Sequence, residues 1–358
     1  GILGQPTQIN TVVAEDFNGD GHVDLIASYL GKVVLYQGPD WKTKDIMPKM
    51  PRDRTGRVAE RGCIHSCLMD VDGDGDMDYI GSNRMLFWLE CPDKPFEQEW
   101  TRRMIHLEVN GAHCVMTADV DRDGKLDLIA NSWRDERETT LPNSIAWFRT
   151  PDKPKEDKLW TAHMLADGDA PGRNHYHGFG DMNGDGRGDV CSGAPLGEWF
   201  AWWEQPEDPS GPWKKHLLAT GEVGATNILP ADLNGDGKPD YLASRGHGKG
   251  VLWFKGPRFE LIEIDPEILY PHCLVVADLD GDGDFDGATC SKDPGGHAAW
   301  YENDGKGAFT RNTIGADQGS YDLRAVDMDA DGDLDLLVAG HTSRNIVRFE
   351  NPIEKALR

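Results

Sequence analysis

Short apolar runs alternate with acidic turns along the whole chain, and that alternation predicts its elements. Runs such as Cys114-Val115-Met116-Thr117-Ala118 and Leu274-Val275-Val276-Ala277 precede an acidic turn, and runs such as Leu128-Ile129-Ala130 and Leu336-Leu337-Val338-Ala339 follow one. Apolar runs of about four to six residues bounded by turn chemistry read as buried strands. A third run carries aromatics: Leu86-Phe87-Trp88-Leu89, Ala146-Trp147-Phe148, Ala201-Trp202-Trp203, Leu252-Trp253-Phe254 and Ala299-Trp300-Tyr301. Pro or Asn-Asp usually ends it. A fourth opens on Trp100, Trp160, Trp213 or Phe309, and no stretch shows a helical period of useful length.

The turns are copies of one another. Asp16-Phe17-Asn18-Gly19-Asp20-Gly21-His22-Val23-Asp24 recurs from Asp70, Asp119, Asp181, Asp232, Asp278 and Asp327, which makes seven copies with a period of about 52 residues, in the range of propeller blades. Four strands per unit and seven units predict an all-β, seven-bladed β-propeller. It is expected to span 1–358 as one domain, with blades beginning near 10, 63, 112, 175, 226, 271 and 320. The aromatic third strand then packs between blades, which explains 12 Trp without a ligand. The seventh unit ends soon after Asn351, so residues 1–10 are expected to complete the last blade and close the ring.

Positions 1, 3, 5 and 9 of each turn are Asp or Asn, and position 6 is Gly in all seven. The sets are Asp16, Asn18, Asp20 and Asp24; Asp70, Asp72, Asp74 and Asp78; Asp119, Asp121, Asp123 and Asp127; Asp181, Asn183, Asp185 and Asp189. They continue with Asp232, Asn234, Asp236 and Asp240; Asp278, Asp280, Asp282 and Asp286; Asp327, Asp329, Asp331 and Asp335. Alternate carboxylates around a tight glycine turn can converge on one hard cation, so the expectation is up to seven structural Ca²⁺ sites. Solvated Asp-Gly turns are the plain alternative, and seven matched copies speak against it. An EF-hand needs a bidentate Glu at position 12 and flanking helices, and these turns have neither.

These repeats and their flanking strands resemble the FG-GAP/VCBS repeat family, over nearly the whole chain. The resemblance implies a calcium-loaded propeller. Family members include integrin heads, adhesins and propeller domains of carbohydrate-active enzymes, so fold alone does not give function. Weak calcium sites also suggest an extracellular or periplasmic setting.

In a propeller the innermost strand crosses the ring and the acidic turn follows its end. Residues five to seven places before the turn therefore face the opposite mouth of the channel. Those places hold Asn10-Thr11, His65, His113, His175 with His177, Thr226-Asn227, His272, and Tyr321-Asp322. The connection between second and third strands opens on the same face and adds Arg84, Trp133, Arg134, Arg245, His247, Lys292, His297 and His341. Longer loops add Arg54, Arg57, Arg61 and Arg173. By contrast His106, His163 and His216 share one outer-strand position and read as structural. A lone histidine is usually an exposed or hydrogen-bonded residue. Imidazoles from separate blades meeting at one axis suit either Zn²⁺ or another divalent transition metal, or acid–base chemistry near neutral pH. Polar filling of a wet channel is the plain reading.

Composition narrows the partners. The net charge of −25 would repel a phosphate backbone, so nucleic acid is not expected. No run reaches the roughly 18 apolar residues of a membrane helix. Gly1-Ile2-Leu3-Gly4 has no basic or apolar leader pattern, so any signal peptide, like any further domain, is expected to lie outside this sequence. Seven cysteines leave at least one thiol unpaired; Cys63, Cys67, Cys114, Cys191, Cys273 and Cys290 fall in or beside inner strands and read as core. Free thiols argue mildly against an oxidising compartment, and the calcium turns weigh more. Arginines and Lys292 near one mouth of an acidic protein suit carboxylates or polyols. Trp133, Tyr176, Tyr270 and Trp199 could offer flat faces to sugars.

Two functions follow, with a purely structural propeller as a third that leaves the histidines unexplained. One is a carbohydrate lyase or dehydratase that abstracts a proton and eliminates across a C–O bond. Its catalytic set would be His65, His113, His175, His177, His272 and Tyr321. Arg61, Trp133, Arg134, Tyr176, Arg245, His247, Lys292 and Asp322 would bind the sugar or uronate. That reading is similar to the propeller domain of aldos-2-ulose dehydratase and, more loosely, to propeller polysaccharide lyases. The alternative is a non-catalytic glycan- or protein-binding module using the same face.

Overall fold

Seven four-stranded antiparallel sheets stand around a central axis in the computed structural model, which describes residues 3–4, 7–29, 31–47, 63–82, 85–109, 112–133, 139–156 and 159–351. The described residues form 28 strands and no helix. The innermost strands are β2 (Thr11–Glu15), β6 (His65–Met69), β10 (Val115–Ala118), β14 (His177–Gly180), β18 (Asn227–Ala231), β22 (Pro271–Ala277) and β26 (Asp322–Val326). Each is followed in sequence by the second, third and fourth strands of its own sheet. Blade 7 is the exception: β26, β27 (Asp335–Ala339) and β28 (Asn345–Phe349) take their outer strand from β1 (Leu3–Gly4), with Leu3 opposite Ile346 and Gly4 opposite Asn345. The first residues therefore close the ring, as the truncated seventh repeat predicts.

The apolar periodicity becomes inter-blade core. Ile80 and Trp88 of blade 2 pack with Val115, Leu128 and Phe148 of blade 3, and Ile129 and Trp147 of blade 3 pack with Val190 and Trp203 of blade 4. Burying a tryptophan removes about 150–250 Å² from water, about 4–6 kcal/mol at most of transfer free energy each. The third-strand aromatics thus hold neighbouring blades together.

The acidic turns are backbone devices as well as carboxylate clusters. The glycine at position 6 has positive φ in all seven, from 77° at Gly237 to 99° at Gly75. A Cβ on Gly75 or Gly237 would meet nothing within 4 Å, so the conformation, rather than space, demands glycine. The first Asp of every turn accepts the N–H of that glycine, at 2.8 Å for Asp16–Gly21 and 3.1 Å for Asp278–Gly283. The ninth residue is buried and ties two loops together. Asp78 accepts Val71 N–H at 3.0 Å and Cys91 N–H at 2.8 Å, and Asp286 accepts Leu279 N–H at 3.0 Å and Asn303 N–H at 2.8 Å.

At the opposite strand ends, polar side chains stitch the seams. Asn10 Nδ2 donates to Cys63 O (3.1 Å), Ser82 Oγ to Ala112 O (3.0 Å), Asn131 Nδ2 to His175 O (2.9 Å), and Asn227 Nδ2 to His272 O (2.6 Å). Asn10 and Asn227, which occupy histidine-equivalent places, are thus inter-blade brackets.

Candidate functional site

Histidine face and acidic turns lie at opposite ends of the innermost strands: His65 opens β6 and Asp70 follows its end. A strand of this length separates them by about 17 Å.

Four turns bring three carboxylates within 4.8 Å of one another: Asp70, Asp72 and Asp78; Asp119, Asp121 and Asp127; Asp278, Asp280 and Asp282; Asp327, Asp329 and Asp331. The other three turns carry Asn18, Asn183 or Asn234 at the third place. In several turns a basic side chain already sits on the cluster. Arg149 pairs with Asp121 (2.6 Å) and Asp123 (2.8 Å), Lys155 with Asp72 (2.7 Å), Arg348 with Asp329 and Asp335, and Arg187 with Asp185. Asp278, Asp280, Asp282 and Asp284 have no basic partner among the described residues. There, burial first and neighbouring carboxylates second lift Asp284 to about 6. The donors are oxygens only, the set that suits a hard cation.

At the other mouth, His175, His247 and His272 each place a ring nitrogen within 4.8 Å of the others. They come from blades 4, 5 and 6. His175 lies two residues before β14, and its Nε2 lies 3.3 Å from His247 Nε2. His247 sits on the connection between the second and third strands of blade 5. His272 lies in β22 where the register slips between Pro271 and Cys273; such a bulge re-aims a side chain.

Hydrogen bonds fix the tautomers. His272 Nδ1 lies 3.1 Å from Tyr321 O; a carbonyl only accepts, so Nδ1 carries the proton and Nε2 presents its lone pair. Lys292 Nζ is 3.3 Å from His247 Nδ1. An ammonium only donates, so His247 is protonated at Nε2 and donates to His175 Nε2. His175 Nδ1 is buried without a hydrogen-bond partner. Burial holds all three imidazoles neutral: His247 falls to about 3, and His175 and His272 lie well below the ordinary histidine value, with neighbouring imidazoles and Lys292 adding to the effect.

The remaining candidates arrange around this trio. His113 meets His175 edge-on at 4.9 Å and stacks on Trp133 at 4.2 Å, and the Arg173 guanidinium lies 4.1 Å from the Trp133 ring centre. Tyr321 is sandwiched in a stack with His272 (4.3 Å) and His341 (3.6 Å). Tyr176 is buried rather than displayed; it packs between His65 (5.3 Å) and His272 (5.7 Å), and its hydroxyl donates to Tyr321 O at 3.3 Å.

Two expected members stand apart. His65 donates from Nδ1 to Val115 O (3.1 Å), and its Nε2 accepts from the Arg324 guanidinium (3.2 Å). Asp322 pairs with Arg324 at 3.0 Å and accepts Thr11 Oγ1 at 2.7 Å and Val12 N–H at 3.2 Å. Both are taken up by contacts joining blades 7, 1 and 2. His177 is buried with neither ring nitrogen partnered, and burial lowers it to about 3.

The cations divide in the same way. Arg245 is held by Glu222 (2.7 Å) and Glu263 (2.9 Å), and Lys249 by Glu267 (2.8 Å). Lys292 is half-buried and has no carboxylate at ion-pair distance among the described residues. Its ammonium lies between His247 and the Tyr270 ring, 5.2 Å from the ring centre. A surface cleft of about 640 Å³ opens beside it, lined by His247, Tyr270, Val223, Leu269, Arg245 and Lys249. Tyr270 has φ 51°, strained for an aromatic residue. Arg61 and Arg134, like Arg54, Arg57 and Arg84, lie outside the described residues.

Sequence reasoning missed Arg324 and Asn131. An arginine in an otherwise apolar inner strand (Asp322-Leu323-Arg324-Ala325-Val326) was a visible signal of a buried pair. Nothing local marked Asn131 as the bracket beneath His175.

The FG-GAP-like repeat model matches residues 70–130, 181–243, 232–289 and 278–338, together more than half of the chain. The chain belongs to the FG-GAP-like repeat family. No curated protein matches it. Among solved structures it resembles an Agrocybe aegerita lectin that recognises non-reducing terminal N-acetylglucosamine (16% identical, TM-score 0.56, covering 95% of this chain and 94% of that one). It also resembles a chain of the BBS1N–ARL6DN complex in a lead-soaked crystal (9% identical, TM-score 0.63, covering 99% and 96%). The mercury-soaked crystal of that complex gives 8% identity, TM-score 0.64 and coverage of 98% and 94%. At such identities the likeness is one of fold.

Proposed function

We propose that the protein acts on an acidic sugar or keto-sugar by proton abstraction and β-elimination, at the mouth where His175, His247 and His272 meet. One observation carries this reading: three neutral imidazoles converge beside Lys292, a half-buried ammonium with no carboxylate at ion-pair distance among the described residues. A substrate carboxylate pairs with Lys292 and faces the imidazoles. An arriving anion also raises their basicity, because a nearby negative charge favours the protonated ring. That shift matters, since an imidazole held near 3 is a poor base at neutral pH. Lys292 stabilises charge developing on the carboxylate as the adjacent C–H breaks. His272, whose Nε2 lone pair is free, takes the proton, with His175 and His113 beside it. Tyr321, whose phenol burial keeps protonated, donates to the leaving oxygen.

The trio also fits a borderline divalent metal. His272 donates its other N–H to a backbone carbonyl, the arrangement that orients a metal-bound imidazole. His247 would join such a set only once Lys292 left its Nδ1. A metal there would supply Lewis-acid polarisation of a carbonyl or carboxylate.

In the acidic turns we propose structural Ca²⁺, supported by the oxygen-only clusters and by the unneutralised carboxylates of the turn beginning at Asp278. A chain that depends on such sites belongs in an extracellular or periplasmic setting. No helix among the described residues is long and apolar enough to cross a membrane.

A second reading, glycan binding without chemistry, draws support from the cleft with exposed Leu269 and Val223 beside Tyr270. Uronate oligosaccharides and keto-sugars, followed for absorbance of a new conjugated double bond, separate the two. Turnover supports elimination; saturable binding with no absorbance change supports the binding module.

A further inference from the structure

We propose that Cys273 and Cys290 are joined by a disulfide, a covalent staple between the two inner strands of blade 6 immediately behind His272. The two are register partners on β22 and its neighbour β23 (Asp286–Ser291), and their sulfurs lie 2.8 Å apart. Non-bonded heavy atoms settle at about 3.5–4.0 Å, so this spacing is that of atoms at the edge of bonding. Directly opposed residues on antiparallel strands hold their Cα atoms about 4.5–5.5 Å apart, inside the roughly 4.4–6.8 Å that a disulfide spans.

Selectivity follows from the surroundings. Cys273 and Cys290 share one apolar cluster with Leu279, Ala298, Leu323 and Val338. Other thiols point elsewhere: Cys191 faces Ile228 O at 3.3 Å and Cys91 faces Pro92 O at 3.8 Å. The bond ties down the strand segment in which the register slips at His272, so it fixes the backbone from which that imidazole reaches the axis.

Timing follows from burial. Cys273 and Cys290 are both buried, and burial pushes the Cys273 thiol far above its ordinary value, so the folded blade shields the pair from an oxidant in solvent. The bond must form while the blade assembles and solvent still reaches it. One thiolate attacks a low-molecular-weight disulfide such as oxidised glutathione, giving a mixed disulfide and one released thiolate. The second cysteine, deprotonated, displaces the other glutathione. The protein loses two protons and two electrons, and the glutathione disulfide becomes two thiols.

The test is thiol counting on the full chain. Protein refolded in a mixture of reduced and oxidised glutathione, and protein exported to an oxidising compartment, are each denatured without reductant and alkylated. The expected result is five labels on seven cysteines, an intact mass lacking two hydrogens, and peptides containing Cys273 and Cys290 joined after cleavage by an Asp-specific protease. Cys290→Ala should then carry six labels, with Cys273 among them. Seven labels on wild type from both preparations, or either cysteine found bonded to another, would overturn the proposal.

Discussion

His272 donates its Nδ1 proton to the carbonyl oxygen of Tyr321 at 3.1 Å, across the seam between blades 6 and 7. That bond decides which nitrogen of His272 faces the channel axis, and it ties the candidate site to the packing of the ring. His272→Gln keeps a polar side chain but loses the imidazole lone pair. It should lower turnover of a responsive substrate by about 10²–10⁴ while the thermal midpoint stays near wild type. Steady-state rates and a thermal melt on the same preparation check both halves.

Lys292 stands beside His247 and Tyr270 with no carboxylate at ion-pair distance among the described residues. Lys292→Ala should raise KM for a uronate substrate at least tenfold, about 1.4 kcal/mol, and leave binding of a neutral sugar of the same size unchanged. Lys292→Arg should recover part of the loss. An equal effect on acidic and neutral sugars would show that Lys292 acts only through packing.

Arg324 bridges Asp322 to His65 and Ser66 O, joining blade 7 to blade 2. Arg324→Met leaves the Asp322 carboxylate buried without its cation and should cost about 3–5 kcal/mol in urea unfolding. Replacing both residues, Arg324→Met with Asp322→Asn, should cost less than the single change, because no charge is then stranded.

Buried imidazoles set an acid limit. His65, His177 and His247 titrate near 3 in the folded chain and about 6.5 when unfolded. Their folded values are depressed, so the unfolded state binds more protons between these limits. Stability should be fully present above about pH 6.5 and fall as pH drops toward 3, by about 1.4 kcal/mol per pH unit for each histidine. His177→Leu should flatten the slope measured by denaturant titration across pH 6.5 to 4.5.

Calcium should act in the opposite direction on the turns. Without a divalent ion, burial lifts Asp78 to about 8 and Asp127 and Asp286 to about 6. Raised values mean that these carboxylates favour folding below about pH 4 and that this contribution is lost as pH rises through 6 to 8. A bound cation reverses that loss. The difference in melting temperature between calcium and chelator should therefore widen from pH 5 to pH 8, and a constant difference would count against calcium in the turns.

Much of this architecture was legible because it is local and repeated. Asp-x-Asp/Asn-x-Asp-Gly turns announce their own glycine conformation, and the Trp-bearing third strands announce their burial. Blade topology alone also places the histidines at the mouth opposite the turns. What sequence order hides is which of them meet. His247 joins His175 and His272 from a different connection, while His65 opens an inner strand as expected yet is claimed by Arg324, 259 residues away. The ninth Asp of each turn reads as a cation ligand, but its two backbone N–H partners lie as far off as Cys91 is from Asp78, a pairing that only the folded blade reveals.

The most direct measurement is ultraviolet absorbance of a conjugated double bond when purified protein meets a panel of uronate oligosaccharides and keto-sugars, with and without added divalent transition metal. Wild type should generate that signal on at least one acidic substrate, and His175→Gln, His247→Gln and His272→Gln should each abolish most of it. A silent wild type across the panel, or a triple variant with undiminished turnover, would contradict the claim that these imidazoles perform chemistry.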